Sequence, residues 1–307
     1  MRGFWVGVLA LVANLAVVTP TEDFIVSAPH VVTTAASPPA ACAGDPLAPA
    51  VTPVVQLDTR PGPLGVAAYG RLQYRGVTSL GPKDVALTFD DGPSDNTLRV
   101  LEILDQHCIK ASFFVVGVFA QARPDLVRAI VAHGHTLGAH SWSHPNNLRR
   151  LGLARAEDQI ARGQAAAAAA LAEAPPADRA RLMPFFRFPG LNDSPALLAW
   201  AGQQGLVVVS ADFGADDWKG IGSAEIQRRA LKEAAESHGG ILILHETKAH
   251  TVAGLSDLIT AFEQHGYRFV QISAGLPAPP LRTASMPTVA AGAMALQVRN
   301  AAKGPLE

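Results

Sequence analysis

Val85-Ala86-Leu87-Thr88-Phe89-Asp90-Asp91-Gly92-Pro93 decides how this chain is read. A short apolar run reads as a buried strand, two adjacent carboxylates follow it, and Gly-Pro marks a tight turn. Directly beyond, Ser94 and Asp95 offer a helix N-cap, while Thr97, Leu98, Leu101, Leu104 and Asp105 show helical spacing. Strand, polar loop and helix make one β/α unit, and the unit recurs. Val85–Phe89, Ser112–Val116, Thr136–Ala139, Phe185–Phe188, Leu206–Val209, Ile241–Leu244 and Arg268–Val270 read as strands. Amphipathic or Ala-rich stretches at 95–107, 123–133, 154–173, 194–204, 223–237 and 252–265 read as the helices between them. The alternation predicts an α/β fold with a mostly parallel sheet and right-handed crossovers, open or closed into a barrel. In such folds the chemistry sits where strands end and loops begin.

The strand ends carry the polar residues. Two carboxylates together, Asp90 and Asp91, would raise one another's pKa unless a cation lay between them; a turn with a helix cap is the plainer alternative. The third strand is followed by His140-Ser141-Trp142-Ser143-His144-Pro145, two histidines that could share one face of a helical turn and hold a metal. With a strand-end carboxylate they complete a two-His, one-carboxylate set, which leaves coordination positions open for water. Arg187, between Phe186 and Phe188, calls for a carboxylate partner. Asp212, Asp216 and Asp217 crowd beside Trp218 after the fifth strand, and the sixth runs into His245, an acid/base candidate. His245-Glu246 with His250 imitates the HExxH zinc motif but is one residue too long, so the two rings would point apart on a helix. His107, His133, His135, His238 and His265 lie in or beside helices and read as structural or surface groups.

Composition narrows the partners. The 307 residues carry 25 Lys and Arg against 26 Asp and Glu, a net charge of −1, with no concentration of positive charge to bind nucleic acid. A neutral polymer remains open to it, and no protein partner is evident. Two cysteines exclude a Cys-rich zinc site. One Arg ahead of an apolar run from Phe4 to Val18 has the layout of a secretory signal and is short for a membrane span. Residues 1–28 are therefore expected to be a signal peptide, with an uncleaved anchor as the alternative, and the protein to be periplasmic or secreted. Export would put Cys42 and Cys108 in an oxidising compartment where they could pair; two unrelated buried thiols are the other reading. A Pro/Ala-rich extension over 29–82, a catalytic domain over 83–274 and a disordered tail over 275–307 complete the expected organisation.

TFDDGP, HSWSHP, RFP, an acidic stretch ending in Asp-Trp, and Leu-His occur here in an order that resembles the polysaccharide deacetylases, carbohydrate esterase family 4, with its NodB-homology domain shared by chitooligosaccharide deacetylases. The resemblance covers residues 83–274. It implies a distorted (β/α) barrel with fewer than eight repeats, in accord with about seven parallel strands. It implies that Asp91, His140 and His144 hold one divalent metal ion, zinc first, with cobalt, nickel or manganese as alternatives. Asp90 would be the catalytic base, Arg187 would pair with it and favour its ionised form, His245 would be the catalytic acid, and Asp217 would orient His245. Trp218, Leu244 and Pro189 would contact substrate, and a backbone N–H of the 143–145 loop would help to hold the oxyanion. The acids around Trp218 are spaced differently from the family pattern, so Asp212 or Asp216 could take the place of Asp217. Gly190-Leu191 also replace the aromatic and small residue that usually follow Arg-x-Pro, and Glu246 stands where Asp is common. The expected activity is metal-dependent removal of N-acetyl groups from oligo- or polysaccharides containing N-acetylglucosamine. Alternatives are peptidoglycan, an O-acetyl ester or a small cyclic amide as substrate, or an inactive carbohydrate-binding protein.

Overall fold

A computed structural model describes residues 52–74 and 80–275. The expected signal peptide, Cys42 and most of the expected tail lie outside the described residues. Two strands, β1 (Val54–Leu57) and β2 (Ala67–Tyr69), precede β3 (Asp84–Asp90) and α1 (Thr97–Gln106). There follow β4 (Ser112–Val115), α2 (Gly117–Ala122), α3 (Pro124–Ala132), β5 (Thr136–Ala139), α4 (Leu153–Ala170), α5 (Pro176–Arg179) and β6 (Leu182–Phe186). The last third holds α6 (Pro195–Gln203), β7 (Val207–Val209), β8 (Phe213–Gly214), α7 (Ser223–Ser237), β9 (Gly240–His245), α8 (Ala249–Ala253), α9 (Leu255–Gln264), β10 (Arg268–Phe269) and β11 (Gln271–Ala274). Each of the seven expected strands and six expected helices is present.

All the pairings are parallel, in the order β2-β7-β6-β5-β4-β3-β9-β8, with β10 beside the start of β3. The strands curl into a half-barrel with helices outside, a distorted α/β barrel. Side chains alternate across it, as a pleated strand requires. Val85, Leu87, Phe89, Phe113, Val115, Leu242 and Leu244 pack outward against the helices. Ala86, Phe114, Phe185, Val207, Val209 and Ile241 point inward.

β1 and β2 fall within the stretch expected to be extension. β1 pairs with β11 as a separate two-stranded ribbon, whose Val55, Leu57 and Ile272 join the inward-facing cluster. Thr136 at the start of β5 donates to Ile272 O (2.8 Å), and Thr52 donates to Cys108 O (3.0 Å) in the turn after α1. The ribbon therefore plugs the rim at the amino ends of the strands. β2 extends the sheet beyond β7. Cys108 is in a disulfide. No helix among the described residues is long and apolar enough to cross a membrane.

Candidate active site and metal centre

The carboxyl ends of β3, β5, β6 and β9 converge on one cleft of about 1010 Å³. Sheet register sets the first contacts. Asp90 is the register partner of His245 on β9, and Ala139 that of Phe186 on β6. The residues one step beyond the second pair, His140 and Arg187, therefore also meet at the rim. Arg187 N donates to Ala139 O (3.1 Å), and His140 Nδ1 donates to Arg187 O (2.8 Å). That bond places the ring proton on Nδ1 and leaves the Nε2 lone pair for the cleft.

Asp91 Oδ1 lies 3.1 Å from His144 Nε2 and 3.6 Å from His140 Nε2, and a ligand atom from each of the three falls within 4.8 Å of the others. Asp91 Oδ1 is buried and has no hydrogen-bond partner. Burial, helped by the nearby His144, pulls the His140 imidazole down to about 3, so its ring is neutral. A bare carboxylate oxygen facing imidazole lone pairs fits a divalent cation of borderline softness, the donor set that suits zinc. The backbone is strained to achieve this: Asp91, Ser141 and His144 all have positive φ (72°, 65° and 56°). The histidine loop is not helical, as the i, i+4 spacing had suggested; the positive-φ turn brings the two rings to 4.8 Å. Gly163 on α4 lets that helix press on the loop, because a Cβ there would stand 2.6 Å from the Ser141 carbonyl carbon.

Asp90 and Arg187 are buried together beside this triad. Arg187 Nη1 donates to Asp90 Oδ1 (2.7 Å) and Thr88 Oγ1 (2.8 Å), Nε to Val209 O (2.9 Å) and Nη2 to Ser210 O (2.8 Å), with the guanidinium over the Phe114 ring. A buried cation needs this degree of satisfaction. Asp90 Oδ2 is left facing His140 Nε2 at 3.6 Å.

Across the cleft, His245 Nδ1 bonds Asp217 Oδ1 (2.8 Å), while Asp217 Oδ2 accepts from His245 N and Thr251 Oγ1 (both 2.8 Å). Burial alone would lower the His245 pKa. The Asp217 hydrogen bond and charge, with Asp90 and Asp91 nearby, outweigh it and raise the pKa above the ordinary histidine value. Asp217 is thus the acid that orients His245. Asp212 is held elsewhere, by Arg71 and Ile241 N, and Asp216 pairs with Lys219 and Arg229. His250, the far end of the false zinc motif, donates to Asp217 O (2.7 Å).

Three expectations need correction. Leu244 is fully buried on the outer face of β9, and Ile243, which shares the inward face with His245, lines the cleft in its place. The period of two already contained this: positions 241, 243 and 245 share a face, and 244 does not. Pro189 is buried in a turn, whereas Phe188, Gly190 and Leu191 line the cleft. The N–H groups of the histidine loop are not free for an oxyanion: Ser143 N donates to Gln159 Oε1, His144 N to Ser141 Oγ, and Pro145 has none. Trp218 does line the cleft and is 60% exposed.

Glu246, which stands where Asp is common in the family, follows His245 at the end of β9. It is fully buried, accepts from Thr97 Oγ1 (2.7 Å), leaves Oε2 without a partner, and sits so close to Gly92 that a Cβ there would overlap its carboxyl. Burial raises its pKa to about 7.

Comparison with known proteins gives a consistent picture. Residues 78–209 match the family model described as polysaccharide deacetylase. The chain is 31% identical over 191 residues to a peptidoglycan-N-acetylglucosamine deacetylase of Listeria monocytogenes, covering 62% of this chain but 38% of that protein. It thus spans well under half the length of that relative. It is 32% identical over 202 residues to a chitooligosaccharide deacetylase of Bradyrhizobium, covering 61% of this chain and 88% of the relative. Among solved structures, a peptidoglycan deacetylase of Bdellovibrio bacteriovorus superposes with a TM-score of 0.62 at 24% identity, over 73% of this chain and 59% of its own, a likeness of fold.

Proposed function

Because this chain belongs to the polysaccharide deacetylase family, we propose that it is a divalent-metal-dependent hydrolase that removes N-acetyl groups from N-acetylglucosamine units of an oligo- or polysaccharide. The observation that carries this reading is the buried, unbonded Asp91 Oδ1 facing His140 and His144, flanked by a carboxylate on one side and an oriented imidazole on the other. Asp91, His140 and His144 would hold the ion, zinc by donor type, which when bound polarises an amide carbonyl and makes water a competent nucleophile at neutral pH.

The chain's own groups supply the proton movements. Arg187 occupies Asp90 Oδ1, so Oδ2 is the atom that takes the proton of the attacking water. His245, with Nδ1 bound to Asp217, offers Nε2 to the cleft and gives a proton to the sugar nitrogen as the C–N bond breaks. Acetate and a free amine are the products. Trp218 supplies an exposed aromatic face on which a sugar ring can lie.

Peptidoglycan is the second reading. The 31% identity to a peptidoglycan-N-acetylglucosamine deacetylase supports it; at the cleft Arg228, Arg229 and Lys232 are engaged by Glu225, Asp216, Glu233 and Glu236, and Lys248 adds a further cation to the lining. Export from the cytoplasm belongs to the same proposal, supported by the apolar run after Arg2 and by the disulfide at Cys108.

Acetate release from chitooligosaccharides, peptidoglycan and acetylxylan tests the whole. N-acetylated glycans should yield acetate, a chelator should abolish release, and zinc should restore it. Metal-loaded protein that releases no acetate from any N-acetylated glycan, or release that ignores the chelator, would overturn the reading.

A further inference from the structure

The turn that follows β2, residues 70–74, lies ahead of the residues matched by the family model, yet its Leu72 lines the cleft. We propose that this turn is a built wall of the cleft and that Leu72 forms a separate sugar position. It would receive a further ring of the same glycan whose acetylated unit sits at Asp90, Asp91 and His245. The inference rests on the deacetylase reading above and extends it to an oligomeric substrate.

A single exposed leucine means little on its own. Here the backbone on either side of it is pinned from several directions. Leu72 N donates to Ala211 O (2.9 Å), and Tyr74 N to Gly70 O (2.9 Å). Arg71 bonds Asp212 Oδ1 through N and Nε (2.9 and 3.0 Å) and Gly239 O through Nη2 (2.7 Å). Gln73 Nε2 reaches Leu191 O (2.9 Å), and the Tyr74 hydroxyl reaches Asp193 Oδ2 (2.7 Å). Gly70 takes φ +104° where a Cβ would strike the Ala211 backbone at 2.6 Å. Against this fixed frame Leu72 is 53% exposed.

Leu191, tied to the turn through Gln73, lines the same cleft, so the lining carries two leucines in addition to Trp218. Pyranose rings present C–H faces that pack on apolar side chains held in place, and a prearranged wall binds with little ordering cost. The cleft's volume is at the upper end of small-ligand pockets, enough for more than the one ring that carries the scissile acetyl group.

The test compares the unmodified protein with Leu72→Ala on N-acetylglucosamine oligomers from dimer to hexamer. Leu72→Ala should lose about tenfold in kcat/KM on the longest oligomer, through KM with kcat unchanged, and nothing on the shortest that is turned over. Equal kinetics at every length would overturn the proposal, and so would an equal loss at every length, which would mark Leu72 as structural. A second arm measures calorimetric binding of the hexamer to Asp90→Asn protein with and without Leu72→Ala, which needs no turnover. Weaker binding without Leu72 supports the subsite, and identical binding sinks it. Failure of the unmodified protein to release acetate would fall on the deacetylase reading alone, since the binding arm still decides about Leu72.

Discussion

Asp90 and His245 are register partners on adjacent strands, yet the proposed reaction gives them opposite tasks, one accepting a proton and the other donating one. The division comes from their second contacts, Arg187 on Asp90 and Asp217 on His245. Asp90→Asn should abolish turnover and leave bound metal unchanged, measured as acetate release beside metal content; loss of the metal would show the roles of Asp90 and Asp91 exchanged. Asp217→Asn removes the charge that outweighs burial at His245. The alkaline limb of the kcat profile should then move to lower pH, because the imidazole loses its proton earlier. Glu246 makes a prediction of the opposite kind. Its carboxyl is raised from 4.5 to about 7 in the folded protein, so between those values the native state binds more protons than the unfolded one. Its stabilising effect is present below the lower value and is lost as pH rises through the upper. Glu246→Gln should therefore be the more stable protein above neutrality, by on the order of 3 kcal/mol, with the gap closing toward acid. Urea midpoints of both proteins at about pH 5 and about pH 8 check it.

At the scale of elements, α4 positions the histidine loop through a glycine. Gly163→Ala would add about 1 kcal/mol of helix propensity at an open site. Here the new Cβ meets Ser141, so the expected result is a loss of about 1–3 kcal/mol and weaker metal affinity, read by thermal melts and zinc titration. Most elements were legible in the sequence because buried parallel strands are short apolar runs and the helices between them are amphipathic. Asp90, Asp91, His140, Arg187 and His245 stood out for a related reason: polar side chains directly after such runs have no other ready explanation. β1, β2, β8 and β11 were not legible. Their two to four residues show no usable periodicity, and only tertiary pairing makes them strands. Asp217 could not be separated from Asp212 and Asp216 because proximity to His245 is set by the turn after β8, not by spacing along the chain.

For the whole molecule, the half-barrel is finished by residues that composition assigns to an extension. Leu57 is fully buried among side chains from β3, β4, β6, β7 and β9. Leu57→Ala should cost about 2–5 kcal/mol by denaturant titration, the range for a core leucine, whereas a loosely attached arm would cost almost nothing. The β1–β11 ribbon also sets the side of the barrel on which Thr52 and Gly275 lie. Thr52 is bonded to the turn after α1, and Gly275 N to Leu57 O (2.8 Å), so both lie on the plugged rim, with the cleft at the other. An affinity tag or surface linkage attached at either point would leave the cleft turned away from the support. Immobilised protein should therefore still attack an insoluble polymer.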